Sequence, residues 1–143
     1  MKKEYLSQSC GSCCFVIAAI NCLIHHKMPV PDLEKAYDIA KCKTGNSINC
    51  QSIIDYLGAP LLPTDDYWLV LYNGGILNIM HPIFNGHSIF VFPVNGGIRL
   101  INSWLGPNVV TVGVNEIRKF LPVHNNLGLY WRDNSGHLKG LET

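Results

Sequence analysis

The hydrophobic pattern predicts a long helix near the start of the chain. The helix is predicted from Cys13 to about His26, with Ser12 as a suitable N-cap and Pro29 and Pro31 beyond its end. This segment is apolar on nearly every side, which is typical of a helix buried at the centre of a fold. Two shorter helices are predicted after it, over residues 33–41 and 51–57.

The pattern then changes to short apolar runs separated by turn residues, which predicts strands. Asn95-Gly96 is a strong hairpin signal between two of these runs. A last helix is predicted over residues 114–121. The predicted strands are Trp68–Tyr72, Ile76–Met80, Ser88–Val94, Gly97–Asn102 and Val109–Val112.

Helices that precede an antiparallel sheet indicate the α+β fold class. The chain has 143 residues, of which 48% are apolar and 15% charged, so we expect one compact domain spanning residues 1–143. A net charge of +1 gives no charged surface for nucleic acid or for an anionic membrane, and neither is expected as a partner.

No membrane-spanning segment is predicted, because the longest apolar run, Cys13 to Ile24, is short and is interrupted by Asn21. The N-terminus begins Met1-Lys2-Lys3, like the first part of a signal peptide, but no small-residue cleavage pattern follows. We therefore expect a cytoplasmic protein, or one delivered by a route that needs no signal.

Four residue types suggest a site built on a thiol nucleophile. Gln8 precedes cysteines at positions 10, 13 and 14, His87 comes at the head of a predicted strand, and Asn102-Ser-Trp follows fifteen residues later. A thiol attacks as the thiolate and needs an imidazole to take its proton. The imidazole in turn needs a partner that holds its ring, and the oxyanion needs a hydrogen-bond donor. The chain offers a candidate for each role.

The order Gln, Cys, His, Asn resembles that of the papain-like cysteine peptidases, and the compact size is similar to the bacteriocin-leader peptidases within that superfamily. The resemblance covers roughly residues 8–121, and its most specific part is Asn102-Ser-Trp, since a papain-type asparagine is followed by Ser-Trp. It implies a papain-like fold in which a central N-terminal helix carries the nucleophile and packs on an antiparallel sheet. It implies no cofactor and no metal.

The spacing leaves the nucleophile open among three cysteines. In that family five residues usually separate the oxyanion glutamine from the nucleophile, which favours Cys14. The string Cys-Gly-Ser-Cys favours Cys13 instead. The Cys-Gly opening of the leader peptidases favours Cys10, although Gln8 is then only two residues away. We rank Cys14 first, Cys13 second and Cys10 third, and expect only one of them to act.

The resemblance implies acyl transfer through these residues. The thiolate attacks a carbonyl, while the Gln8 amide and the backbone N–H of the nucleophile hold the oxyanion. His87 protonates the leaving amine with Asn102 orienting its ring, and water then releases the acyl-enzyme. The expected partner is a protein or peptide substrate. The resemblance leaves a cognate inhibitor or a host protein open as a further partner.

Other interpretations of the same residues stay open. A papain-like site can deamidate or transamidate its substrate, as in a toxin or effector. A zinc-stabilised binding module without catalysis is another alternative, because Cys10 and Cys13 have a ligand-like spacing that Cys42 and Cys50, or His25, would complete. His81 is a rival to His87 as the base.

Overall fold

The computed structural model describes residues 5–7, 14–40, 50–79, 87–102, 108–117 and 123–132, and for residues 50, 87, 102, 108 and 123–127 it describes the backbone only. Four helices lie within these ranges. They are α1 (Cys14–His25), α2 (Leu33–Ala40), α3 (Cys50–Leu57) and α4 (Tyr67–Asn73).

Six strands in the described ranges form one sheet, in which every neighbouring pair is antiparallel. Their order across the sheet is β1-β6-β2-β3-β4-β5, so β1 and β5 are its edges. The predicted α+β fold class is confirmed. The strands are β1 (Leu61–Thr64), β2 (Gly75–Ile79), β3 (His87–Val94), β4 (Gly97–Asn102), β5 (Asn108–Val112) and β6 (Val123–Trp131).

Helix α1 lies at the centre of the larger of two cores. Every residue from Phe15 to Leu23 is buried, and the helix packs on β3 and β2. Helices α2 and α3 pack against α1 and against each other. Because α1 has neighbours on all sides, its sequence is apolar all round. The prediction of a central buried helix that packs on an antiparallel sheet is confirmed.

Helix α4 lies on the opposite face of the sheet and forms the second core. Successive strand residues alternate between the two faces: Ile76 and Phe90 belong to the α1 core, whereas Leu77 and Val91 belong to the α4 core. The central strands are therefore buried on both faces. None of the described helices is long and apolar enough to cross a membrane.

The prediction of a strand over Trp68–Tyr72 is wrong, because these residues lie in α4. A short apolar run rich in aromatic and branched residues fits a buried strand and a buried helix equally well. Asp66 favours the helix here: its carboxylate accepts hydrogen bonds from the backbone N–H groups of Trp68 and Leu69, at 3.1 and 3.3 Å. Gly74, with φ of 78°, follows the last helical residue.

The other predicted elements agree with the structure to within one or two residues, with three exceptions. Strands β1 and β6 have no counterpart among the predicted elements; Pro63 is compatible with β1 because β1 is an edge strand.

The last predicted helix, over residues 114–121, is the third exception. Residues 114–116 form a turn, Ile117 is helical, and residues 118–122 lie outside the described ranges. The Asn95-Gly96 hairpin is confirmed, and it joins β3 to β4 with Gly96 at φ of 88°.

Candidate active site

Cys14 is the first residue of α1, and its thiol is free and partly exposed. The unpaired N–H groups and the dipole at a helix N-terminus favour an anion there. Cys22, about two turns further along the same helix, is fully buried, and burial raises the pKa of its thiol well above the usual value. Of these two cysteines, only Cys14 is accessible to a substrate.

His87 and Asn102 lie on neighbouring strands. His87 is the first residue of β3 and pairs with Ile79, whereas Asn102 is the last residue of β4 and pairs with Asn108. Since β3 and β4 are antiparallel neighbours, the start of β3 and the end of β4 meet at the same end of the sheet. The backbones of the two candidate residues are therefore brought together, on the two arms of the hairpin.

The first turn of α1 lies at this same end of the sheet. Phe15 lines a cleft together with Asn78, which accepts a hydrogen bond of 2.7 Å from the hydroxyl of Ser88, the second residue of β3. At the other end of the helix, the ring of His25 lies 4.1 Å from that of Phe92, far along β3. The start of α1, the start of β3 and the end of β4 thus share one end of the fold.

The chain segment that precedes Gln8 runs alongside α1. The Tyr5 hydroxyl is 3.3 Å from Nδ1 of His25, and the backbone of Leu6 is bonded to Asn21, one turn closer to the start of the helix. Residues 5–7 therefore point along α1 toward the end that carries Cys14. An oxyanion donor supplied by Gln8 requires this chain direction.

Several candidate residues lie outside the described part of the chain. Gln8, Cys10 and Cys13 are among them, so the order of preference among the three cysteines stays a prediction. The rival base His81 also falls outside it.

In the alternation along each strand, position 87 has the parity of Ile89 and Val91, and position 102 that of Ile98 and Leu100, all of which belong to the α4 core. Cys14 begins the helix that packs on the other face of the sheet. Because only the backbone of His87 and Asn102 is described, their contacts with a thiol stay predictions.

The zinc interpretation likewise depends on residues beyond the described ranges, since Cys10, Cys13 and Cys42 lie there and only the backbone of Cys50 is described. His25, which would complete such a site, contacts Tyr5 and Phe92. Among the described residues, no three His, Cys, Asp or Glu side chains form a group that could hold a metal ion.

A cleft of about 650 Å³ opens beside the first turn of α1. Its volume lies within the range of about 300–1,000 Å³ that is typical of ligand sites. Its apolar wall consists of Phe15 from α1, Ile54 from α3, and Pro63 and Leu129 from β1 and β6. Its polar wall consists of Gln51, Thr64, Asp65 and Asn78.

Sequence reasoning does not identify this cleft, because its walls come from α1, α3 and three strands that are far apart along the chain. The pairing of β1 with β6 places Thr64 opposite Gly128, and the pairing of β6 with β2 brings Leu77 to the other side of Gly128. The strand register therefore assembles the cleft. The pair Asp65-Asp66 ahead of an apolar run is the one local signal for this region, and it indicates a helix cap rather than a binding site.

No protein-family model matches this chain, and a search of curated proteins finds no match.

Proposed function

We propose that the chain is a thiol-dependent hydrolase that cleaves a peptide or isopeptide bond through a covalent acyl-enzyme. The observation that carries this proposal is the position of Cys14. It offers a free, partly exposed thiol on the first turn of a buried helix, at the end of the sheet where β3 begins and β4 ends, and the next residue, Phe15, lines a cleft. The proposed site consists of Cys14 as nucleophile, His87 as base, Asn102 as its partner and Gln8 as oxyanion donor.

In the proposed reaction, His87 takes the proton of the Cys14 thiol and the sulfur forms a bond to the carbonyl carbon of the substrate. The negative oxygen of the tetrahedral intermediate is held by the Gln8 amide and the backbone N–H of Cys14. The C–N bond breaks when His87 delivers its proton to the leaving amine. Water then attacks the thioester with His87 as base, which releases the acid and restores the thiol.

The fold supports this chemistry by fixing the nucleophile in place. Phe15 and Val16, which directly follow Cys14, are buried against the sheet and the neighbouring helices, so the first turn of α1 cannot shift without disturbing the core. A nucleophile that is held rigidly needs little reorganisation before it attacks.

Selective alkylation tests the proposal. The protein is treated briefly with limiting iodoacetamide at about pH 6, where ordinary thiols of pKa ~8.5 stay protonated, and the modified residue is mapped by mass spectrometry. We expect one dominant adduct at Cys14 and none at Cys22, which serves as the internal control. The adduct should be lost in His87→Ala and retained in His81→Ala.

Each other outcome has a defined meaning. A dominant adduct at Cys13 or Cys10 would support the proposed hydrolase but would identify that cysteine, and not Cys14, as the nucleophile. Uniform slow labelling of all exposed cysteines would overturn the thiol site. Uniform labelling together with bound zinc in the native mass spectrum would favour the metal-stabilised binding module.

A further inference from the structure

We propose that the cleft beside the first turn of α1, which Phe15 lines, binds a basic side chain, lysine or arginine, of a peptide. As a substrate subsite this inference rests on the proposed function, but the preference itself is a property of the cleft.

The walls of the cleft match the two parts of a long basic side chain. Phe15, Ile54 and Leu129 offer an apolar surface for the methylene groups of the stem. Asp65, an exposed residue just after β1, is the one charged group among the described lining residues. An exposed carboxylate in the lining of a largely apolar cleft suits a side chain that is apolar along its length and positive at its end.

The polar groups near Asp65 add acceptors rather than positive charge. The amide nitrogen of Gln51 donates to the Asp55 carboxylate at 2.9 Å, which leaves the Gln51 carbonyl oxygen as an acceptor. Asp66, next to Asp65, uses its carboxylate to cap α4. Asp65 is thus the carboxylate that lines the cleft, whereas the Asp55 and Asp66 carboxylates accept hydrogen bonds from Gln51 and from the first turn of α4.

None of the four basic residues in the described part of the chain lines the cleft. Lys35 lies over the ring of Tyr56, with 5.4 Å between its nitrogen and the ring centre. Arg99 donates to Thr111 at 3.1 Å, across β4 and β5. Lys27 follows the far end of α1 and Arg132 follows the last residue of β6. Within the described ranges, no salt bridge involves Asp65, and a ligand is left to supply the positive charge.

A binding measurement that does not depend on catalysis tests the inference. The probes are four blocked tripeptides, acetyl-Ala-Xaa-Ala-amide, in which Xaa is lysine, arginine, norleucine or glutamate. Their affinities are measured by NMR titration of the full-length Cys14→Ala variant. We expect the lysine and arginine peptides to bind about fivefold more tightly than the norleucine peptide, which has the stem without the charge. The glutamate peptide should bind most weakly, and added salt should reduce the preference.

Two variants of the same charge assign the effect to Asp65. Asp65→Asn, in the Cys14→Ala background, should lower the affinity of the lysine peptide to that of the norleucine peptide. Asp38→Asn removes an exposed carboxylate from α2, outside the cleft, and should leave the preference unchanged. The inference is overturned if the four peptides bind equally, if none binds, or if the preference for lysine survives in Asp65→Asn.

The outcomes separate this inference from the proposed hydrolase. If Cys14 does not react in the alkylation experiment but the basic peptides bind selectively, the binding preference of the cleft is supported and the proposed hydrolase is refuted. If the wild-type protein cleaves a peptide library with no preference for basic residues at any position, the hydrolase is supported and the cleft is not its substrate subsite.

Discussion

The side-chain amide of Asn21 forms two hydrogen bonds with the backbone of Leu6. The Leu6 N–H donates to Oδ1 at 2.8 Å, and Nδ2 donates to the Leu6 carbonyl at 3.2 Å. Asn21 is fully buried in α1, where every other buried residue is apolar. One polar residue thus attaches the segment before Gln8 to the helix that carries Cys14, with the pairing that a neighbouring β-strand would provide.

Removal of this attachment should destabilise the fold. We expect Asn21→Ala to lower the free energy of unfolding by about 2–3 kcal/mol, because two backbone groups lose their partners and a buried gap remains. Asn73→Ala is the matched control: its Nδ2 donates one bond of 2.9 Å to Leu69 from a partly exposed position, and its loss should cost about 1 kcal/mol or less. Urea denaturation measures both. Equal losses would show that the paired bonds of Asn21 contribute nothing special.

The roles proposed for the site residues predict a graded loss of activity. Cys14→Ala and His87→Ala should each abolish cleavage of a quenched-fluorescence peptide library, since each removes a group that takes part in the chemistry. Asn102→Ala should weaken cleavage less, since it removes only the orientation of the imidazole. Equal activity in wild type and His87→Ala would contradict the mechanism.

Asp65 and Asp66 are adjacent but should respond to substitution in different ways. Asp66→Ala removes the N-cap of α4 and should cost about 1 kcal/mol of stability. Asp65→Ala should leave stability within about 0.5 kcal/mol of wild type, because its side chain is exposed and makes no salt bridge within the described ranges. Thermal unfolding of the two variants side by side measures this difference, and the opposite order of stability would refute the assignment of the cap.

Gly128 is required by the close approach of β6 to β2. A Cβ at this position would collide with the carbonyl oxygen of Ile76, which is backbone and cannot move aside. We expect Gly128→Ala to cost about 2–4 kcal/mol, within the range of severe steric substitutions. Gly113→Ala is the control, since its Cβ would meet only the side chain of Glu116, at 3.6 Å. If both variants unfold at the same urea concentration, this close approach is not present in solution.

The Tyr5 phenol predicts a decline in stability at alkaline pH. Burial raises the pKa of Tyr5 from 10.0 to about 12, and the opposing charge of Arg99 does not cancel this effect. The folded state therefore favours the neutral phenol. Its contribution to stability is complete below pH 10 and is lost as the pH rises from about 10 toward 12.

Tyr5→Phe should flatten this decline, measured as the change in urea midpoint between pH 9.5 and 11.5, the two sides of the window set by these values. Some decline should remain, because the raised pKa of Cys22 acts in the same direction. Tyr72→Phe, which removes an exposed hydroxyl on α4, controls for the loss of a phenol. Parallel pH dependences in Tyr5→Phe and wild type would contradict the assignment.

The elements that could be predicted are those with a clear signal in their own local sequence. Helix α1 is predictable because its apolar run is too long for a typical strand and therefore indicates a buried helix. The β3–β4 hairpin is predictable because Asn95-Gly96 favours a tight hairpin turn. Helix α4 is mistaken for a strand because its seven residues are too few to show a period, and the Asp66 cap is a weaker signal than the apolar run. Strand β6 escapes prediction because its sequence contains Asn125, Asn126 and Gly128, which are rare in strands.

In the candidate site, too, some parts could be predicted from the sequence and others could not. Cys14 and the pair His87 and Asn102 can be proposed from order and spacing, because each lies at the end of a predictable element. The cleft cannot, since Asp65 and Asn78 approach Phe15 only through strand pairings that are set by the whole sheet. No short stretch of sequence encodes that approach.

The residues that line the cleft differ in how well we expect them to tolerate substitution. Phe15 and Leu129 belong to the core, so their replacement would disturb folding, whereas Gln51 and Asp65 line the cleft as exposed residues. Under the proposed function, substitutions at these two positions would alter what the cleft binds and leave Cys14 and helix α1 as they are. The proposed selectivity is thereby separable from stability, and positions 51 and 65 are where we expect a new specificity to be engineered or selected at little cost to the fold.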